Sequence, residues 1–213
     1  MIISRVMTRN PVSVSPDMTI NEARSIMDKE QIGHLPVLNK SEELVGILTR
    51  EDLMKASPTM ATTLDMYEIS YLLSKITVKD AMEKKVITVD ENEVVEGAAR
   101  IMADNDIGCL PVMHGKLLVG IITDTDIFHV FLNAFGARSP GLRITLHMDD
   151  KPGQLAMLAR AIADKKGNVT AFVISEREGP SRCLATLKVA DIGREDMKAI
   201  LENFKEMEVE DIR

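Results

Sequence analysis

Apolar positions along the first part of the chain follow a pattern that occurs twice. Val12-Ser13-Val14 alternates like a short strand. Thr19-Ile20-Asn21-Glu22 has the spacing of a capping box, in which the Thr and Glu side chains each satisfy the other's backbone N–H. It opens a helix whose Ile20, Ala23 and Met27 face a core. Leu35 to Leu38 and Leu44 to Leu48 are apolar enough for buried strands, joined by a polar turn over Asn39 to Glu43, and a second helix begins over Asp52 to Lys55. The second copy predicts a strand over Val86 to Val89 and a helix through Val94, Ala98 and Met102. Strands over Leu110 to Met113 and Leu117 to Ile122 follow. Pro58 to Ser74, between the copies, is expected to be a connector, helical from Met66 onward.

After Phe135 to Gly141, a turn-rich linker, the pattern changes. Leu142, Ile144, Leu146 and Met148 alternate with polar residues and mark a half-buried strand. Asp150 to Leu155 turns into a helix running to about Lys166, with Gly167 where a helix C-terminal glycine belongs. Strands over Val169 to Ile174 and Leu184 to Val189 flank a loop at Glu178-Gly179-Pro180. A helix over Arg194 to Phe204 and an edge strand over Val209 to Ile212 complete the chain. The fold class is therefore α+β. Two repeats of strand-helix-strand-strand-helix occupy residues 1–57 and 76–135, joined by a connector at 58–75. A linker at 136–141 leads to a domain at 142–213 with an open antiparallel sheet and both helices on one face.

The repetition is literal as well as periodic. Gly46-Ile47-Leu48-Thr49-Arg50-Glu51-Asp52 returns 74 residues later as Gly120-Ile121-Ile122-Thr123-Asp124-Thr125-Asp126. Ile32-Gly33-His34-Leu35-Pro36-Val37 returns after 75 as Ile107-Gly108-Cys109-Leu110-Pro111-Val112. Two such modules bury their apolar faces on each other about a pseudo-twofold axis, where equivalent loops meet.

Charge and composition remove several functions. A net charge of −7 argues against a nucleic-acid partner. No apolar run reaches the roughly 18 residues that span a bilayer, and no secretory h-region is present, so the expectation is cytoplasmic with no membrane partner. Cys109 and Cys183 are isolated and make no disulfide framework. The four histidines lack zinc-site spacing, and no Walker loop, Gly-x-Ser-x-Gly or Gly-x-Gly-x-x-Gly occurs. Neither catalytic residues nor a metal site are expected.

Thr49 with Asp52, and Thr123 with Asp126, admit two readings. The spacing is that of a capping box with Asp in place of Glu, which would make them scaffold. The same helix N-terminus offers free N–H groups and a positive dipole end to a phosphate, the Thr hydroxyl adds a donor, and the Asp carboxylate can accept from ribose hydroxyls.

These paired Gly-h-h-Thr-x-x-Asp segments, with Ile-Gly-x-Leu-Pro-Val upstream, resemble tandem cystathionine-β-synthase (CBS) domains, a Bateman module. The tail, with Asp150-x-Pro152-Gly153-x-Leu155 and Gly167-Asn168-Val169, resembles an ACT domain of ferredoxin-like βαββαβ topology. The domain order is similar to that of acetoin-utilisation proteins. The resemblance implies a regulatory protein without an active site of its own, binding an adenine nucleotide (AMP, ADP or ATP) or related adenosyl compound in cross-built pockets. One pocket would use Ile47, Thr49, Arg50 and Asp52 with Ile87, Gly108 and Cys109. The other would use Ile121, Thr123 and Asp126 with Val12, Gly33 and His34. It further implies a homodimer, a regulated partner protein and a link to acetoin or acetate metabolism. In the ACT-like tail, Asp150, Gly153, Gln154 and Asn168 are amino-acid-binding candidates. A constitutive dimerising adaptor whose motifs are only caps, and a divalent-cation sensor on the same scaffold, stand as alternatives. Arg50 in one copy faces Asp124 at the matching position of the other, which predicts that the Arg50 pocket prefers phosphorylated ligands.

Overall fold

A computed structural model describes residues 1–56, 75–177 and 181–213. The expected connector helix and the loop at 178–180 lie outside them. The chain divides into two compact units, Met1–Ile127 and Phe128–Arg213. The division falls inside a helix rather than in the turn-rich stretch that follows it.

In the first unit, a helix α1 (Ile20–Lys29) is capped by Thr19 and Glu22, as the spacing predicts. It is followed by a hairpin of β2 (His34–Leu38) and β3 (Leu44–Thr49), then α2 (Arg50–Lys55). After α3 (Val78–Ala81), the second copy runs β4 (Val89–Asp90), α4 (Val95–Asn105), β5 (Cys109–His114), β6 (Leu117–Thr123) and α5 (Asp124–Ala134). Two expected strands shrink. Val12 to Val14 forms none: Val14 makes an isolated parallel bridge to Val37, and Val89 pairs the same way with Val112. In each segment only the last valine is buried, whereas Val12 and Ile87 are exposed, so pairing is confined to Val14 in the first and to Val89 and Asp90 in the second. The second helix starts at Arg50 rather than Asp52 because Thr49 caps it.

The leading segments of the two repeats are exchanged. β1 (Thr8–Arg9) pairs antiparallel with β6 of the second repeat, Thr8 opposite Ile121. Glu83, which leads the second repeat, bridges to Ile47 of the first through reciprocal backbone hydrogen bonds of 2.9 Å. The cores follow suit. Ile3 and Met7 are buried with Val89, Ala98, Met102, Leu110, Val112 and Ile122. Val78 is buried with Ile20, Ala23, Met27, Leu35, Val37 and Leu48. The repeated glycines make this crossing possible. A Cβ on Gly46 would lie 2.3 Å from the Met82 sulfur, and one on Gly120 would lie 2.4 Å from the Met7 sulfur.

The second unit contains β7 (Leu142–Asp149), α6 (Gln154–Asp164), β8 (Asn168–Arg177), β9 (Arg182–Ala190), α7 (Arg194–Leu201) and β10 (Glu208–Ile212). The sheet order is β10-β7-β9-β8, antiparallel throughout. This is the split βαββαβ arrangement. Ile144, Leu146 and Met148 of β7 and Cys183, Ala185, Leu187 and Val189 of β9 share one core with Leu158 and Ile162 of α6 and Met197, Ile200 and Leu201 of α7. Both helices therefore cover one sheet face, as the alternation predicts. The left-handed residue after α6 is Lys166, with φ 65°, and not Gly167. Gly167 is needed for closeness instead, since a Cβ there would meet Ile162 Cγ2 at 2.8 Å.

Gly46→Ala and Gly120→Ala should each destabilise the protein by about 1–3 kcal/mol through overpacking against the crossing methionine. Urea unfolding of Gly46→Ala, Met82→Ala and the double variant provides the check. The double variant should be more stable than the sum of the single losses. Strict additivity would show that the sulfur is not what the glycine accommodates.

Candidate functional site

Both helices that follow the repeated Gly-h-h-Thr segment begin at the wall of a cavity. At Thr49 the backbone N–H and the hydroxyl both donate to Asp52 Oδ2, each at 2.8 Å, and Asp52 N–H donates back to Thr49 Oγ1 at 3.2 Å. Thr123 and Asp126 repeat this with distances of 2.8, 2.8 and 3.3 Å. The capping reading is thus correct as geometry. It also revises the role of the threonine: its single proton is committed to Asp Oδ2, so it fixes the carboxylate rather than offering a ready donor to a phosphate. Asp Oδ1 retains its acceptor capacity.

Capping alone does not define the site. Thr19 with Glu22 and Thr77 with Asp80 form similar boxes, and neither lines these cavities. What distinguishes Thr49/Asp52 and Thr123/Asp126 is where the strand-to-helix junction points. The first cavity, about 420 Å³, is lined by Ile47, Thr49, Arg50 and Asp52 of the first repeat and by Ile87, Gly108 and Cys109 of the second. The second, about 410 Å³, is lined by Ile121, Thr123 and Asp126 together with Val12, Gly33 and His34. All thirteen residues singled out from the sequence line the cavity expected of them.

Others were not anticipated. Gln31 lines the second cavity and Asp106 the first. They are equivalent positions at the ends of α1 and α4, both left-handed, with φ 55° and 53°. A non-glycine residue there is uncommon, and its place just before Ile-Gly-x-Leu-Pro-Val was the available signal. Lys85, Val86, Asn10 and Pro11 also join the walls, brought there by the segment exchange.

The two cavities differ in charge. Arg50 lines the first, but its guanidinium is drawn to the end of α1, where Nη1 contacts Asp28 Oδ1 at 2.9 Å and Nη2 donates to Met27 O at 3.2 Å. That pair is half-exposed, and such pairs are worth about 0–1 kcal/mol, so it is weakly held. Asp124 accepts from Thr125 N–H at 2.6 Å, and its Oδ2 lies 3.3 Å from where a Gly108 Cβ would be. Burial pushes the His34 imidazole below its ordinary pKa, against the opposing pull of Asp124 and then Asp52. The Cys109 thiol is pushed up to about 12, chiefly by burial and then by Asp124 and Asp52. Ile47, Cys109 and Ile121 form a small apolar cluster between the cavities.

In the second unit, Gly153 caps α6 with φ 91°, and Gln154 is buried with its Oε1 lacking a hydrogen-bond partner. The backbone N–H of Asp150 donates to Ser181 O at 2.8 Å. Asn168 does not join them. It pairs with Ala190, at the sheet end where β7 begins, while Asp149 pairs with Arg182 at the other. At about 3.3 Å per residue, the strand puts roughly 23 Å between those ends.

The CBS domain family model matches residues 3–59 and 78–133, and the chain belongs to that family. Among solved structures, a protein of Vibrio cholerae described as an acetoin utilization protein (AcuB) is 29% identical, with TM-score 0.54, covering 65% of this chain and 95% of that one. The CBS domain pair of protein MJ0100, in complex with 5′-methylthioadenosine and S-adenosyl-L-methionine, is 28% identical with TM-score 0.53, covering 65% and 98%. CBSX2 in complex with AMP is 26% identical with TM-score 0.50, covering 62% and 96%. The L-aspartate semialdehyde sulfurtransferase of Methanocaldococcus jannaschii is 30% identical over 131 residues, 61% of this chain but only 23% of that enzyme. Relatives of this fold thus bind adenosyl ligands at their CBS pairs. No helix among the described residues is long and apolar enough to cross a membrane.

Cys109 should resist iodoacetamide in the folded protein at pH 8, because the thiolate is the reacting form. Peptide mapping should find it alkylated only after urea is added. Its folded pKa exceeds the ordinary 9.0, so the folded state holds a proton that the unfolded chain releases, and stability should decline as pH rises above about 9. Rapid alkylation of Cys109 in native buffer would overturn the buried environment described.

Proposed function

We propose that the chain is a regulatory sensor rather than an enzyme, and that each cavity takes an adenine nucleotide or related adenosyl compound. The carrying observation is that each cavity is closed by both repeats: the Thr–Asp box of one faces the Ile-Gly-x-Leu-Pro-Val loop and leading segment of the other. A ligand held there bridges the repeats and can report its presence through their packing. In this reading Asp52 and Asp126 accept from ribose hydroxyls through Oδ1. Ile47 with Ile87, and Val12 with Ile121, supply apolar surface for adenine, and the N-termini of α2 and α5 face the phosphate side. The capping-only adaptor reading leaves the two cavities without a role. The cation-sensor reading lacks a donor set, since no group of three His, Cys, Asp or Glu residues among the described ones is arranged to hold a metal.

The second unit is proposed as an ACT-like sensor or dimerisation module. The orphaned Gln154 Oε1 and the free N–H groups opening α6 suit the ammonium and carboxylate of an amino acid. A homodimer, a regulated partner protein and a role in acetoin or acetate metabolism follow from the likeness to acetoin-utilisation proteins and are part of the same proposal.

Asp52→Ala and Asp126→Ala should each abolish one binding event for AMP or S-adenosylmethionine and preserve the other, with loss of the cap costing about 0.5–2 kcal/mol of stability. Titration calorimetry with both ligands measures this. Unchanged stoichiometry and affinity in both variants would leave the carboxylates as caps alone and defeat the nucleotide reading.

A further inference from the structure

The second cavity contains no lysine or arginine among its lining residues, yet two carboxylates, Asp124 and Asp126, face it. A phosphate running from a ribose on Asp126 toward the N-terminus of α5 meets Asp124 and nothing permanently positive. One lining group can become a cation, and that is His34. A point at the missing Gly108 Cβ lies 3.9 Å from His34 Nε2 and 3.3 Å from Asp124 Oδ2, so imidazole and carboxylate converge on the same spot.

We propose that His34 makes the second cavity a proton-linked site, in which an adenosine phosphate is bound together with a proton taken up on the imidazole. The inference rests on the adenosyl reading above and adds to it the ligand chemistry of one cavity. The charged groups around His34 set the balance. Asp124 from α5 and then Asp52 from α2 act on it, while Asp126 and Glu51 share its cavities, Glu51 being paired with Lys55 at 2.9 Å. Arg50 begins α2 but is turned to Asp28, Cys109 on β5 is a neutral thiol, and Asp106, Glu83 and Lys85 lie on the first-cavity side. Burial lowers the pKa of the free imidazole despite the neighbouring carboxylates. A phosphate adds negative charge within reach, which favours the imidazolium. Protonated His34 then offsets Asp124 and donates to the phosphate as a charge-assisted hydrogen bond. Adenosine, lacking the phosphate, gives the imidazole no reason to change state.

His34 and Gly33 are also the residues that line both cavities. The equivalent pair, Gly108 and Cys109, lines only the first. His34 thus belongs to the walls of both cavities, and the linkage is assigned to the second because the first already holds Arg50 and Lys85 among its lining residues.

The test is calorimetry of AMP and adenosine binding in buffers of different ionisation enthalpy between pH 6.5 and 8, with the unaltered protein and His34→Gln. AMP should bind with fractional proton uptake, and its affinity should rise several-fold as pH falls across that range. His34→Gln should remove the excess uptake and the pH dependence and weaken AMP by a larger factor than adenosine, with an unchanged circular dichroism spectrum showing that the variant is folded. The nucleotide's own phosphate titrates near about pH 6, so the difference between the two proteins is the quantity that decides. Equal uptake in both proteins, or loss of adenosine binding along with AMP in His34→Gln, would overturn the role of His34 while leaving the adenosyl reading intact. If neither AMP nor adenosine binds the unaltered protein, both fall together.

Discussion

Neither repeat of the first unit is complete by itself. Each lacks one wall of its core and one edge partner for its sheet, and the leading segment of the other repeat supplies both. Ile3 and Met7 fill the second repeat, and Val78 and Met82 pack against the first. The exchange requires a backbone surface flat enough for a methionine sulfur to cross, which is why glycine stands at 46 and 120. It also carries Asn10, Val12, Lys85 and Ile87 across the pseudo-twofold to where the strand-to-helix junctions open. The cavities are therefore a by-product of the way the core is closed, and their composition mixes both repeats by construction of the topology.

Much of this was legible in the residues. The literal repeat and the Thr-x-x-Asp spacing located the junctions, and the alternation at Leu142 to Met148 identified the buried face of the second sheet. The exchange itself was not readable, because its signal is a methionine and a glycine far apart in sequence whose relation exists only in space. The expected strands at Val12–Val14 and Val86–Val89 looked longer than they are, since exposed residues that face a cavity are as apolar as residues that face a core. Arg50 illustrates the limit on charge arguments. It lines the cavity expected of it, but the competing carboxylate at Asp28 and carbonyl at Met27 were invisible to a local reading.

Under the proposed reading the same carboxylates would serve structure and recognition without conflict, because a carboxylate has two oxygens. Oδ2 of Asp52 and of Asp126 holds the cap, which orients Oδ1 at no further entropic cost. A group already fixed by its helix is a better ligand contact than a free one, since ordering on binding is reduced. In that reading the threonine, whose hydroxyl donates to Oδ2, would be a positioning residue for the aspartate.

The crossing of the leading segments has a consequence for ancestry. A chain carrying only one such repeat would present an unfilled groove beside Gly46 and a methionine-bearing segment with nowhere to dock. Two copies of that chain would each complete the other, by trading the same segments between molecules that the present chain trades within itself. Joining the two copies end to end would convert an intermolecular pairing into an intramolecular one, and would free the two halves to diverge. His34 and Cys109, at equivalent positions of the two repeats, differ as such freedom would allow: a symmetric pair could hold only two of the same.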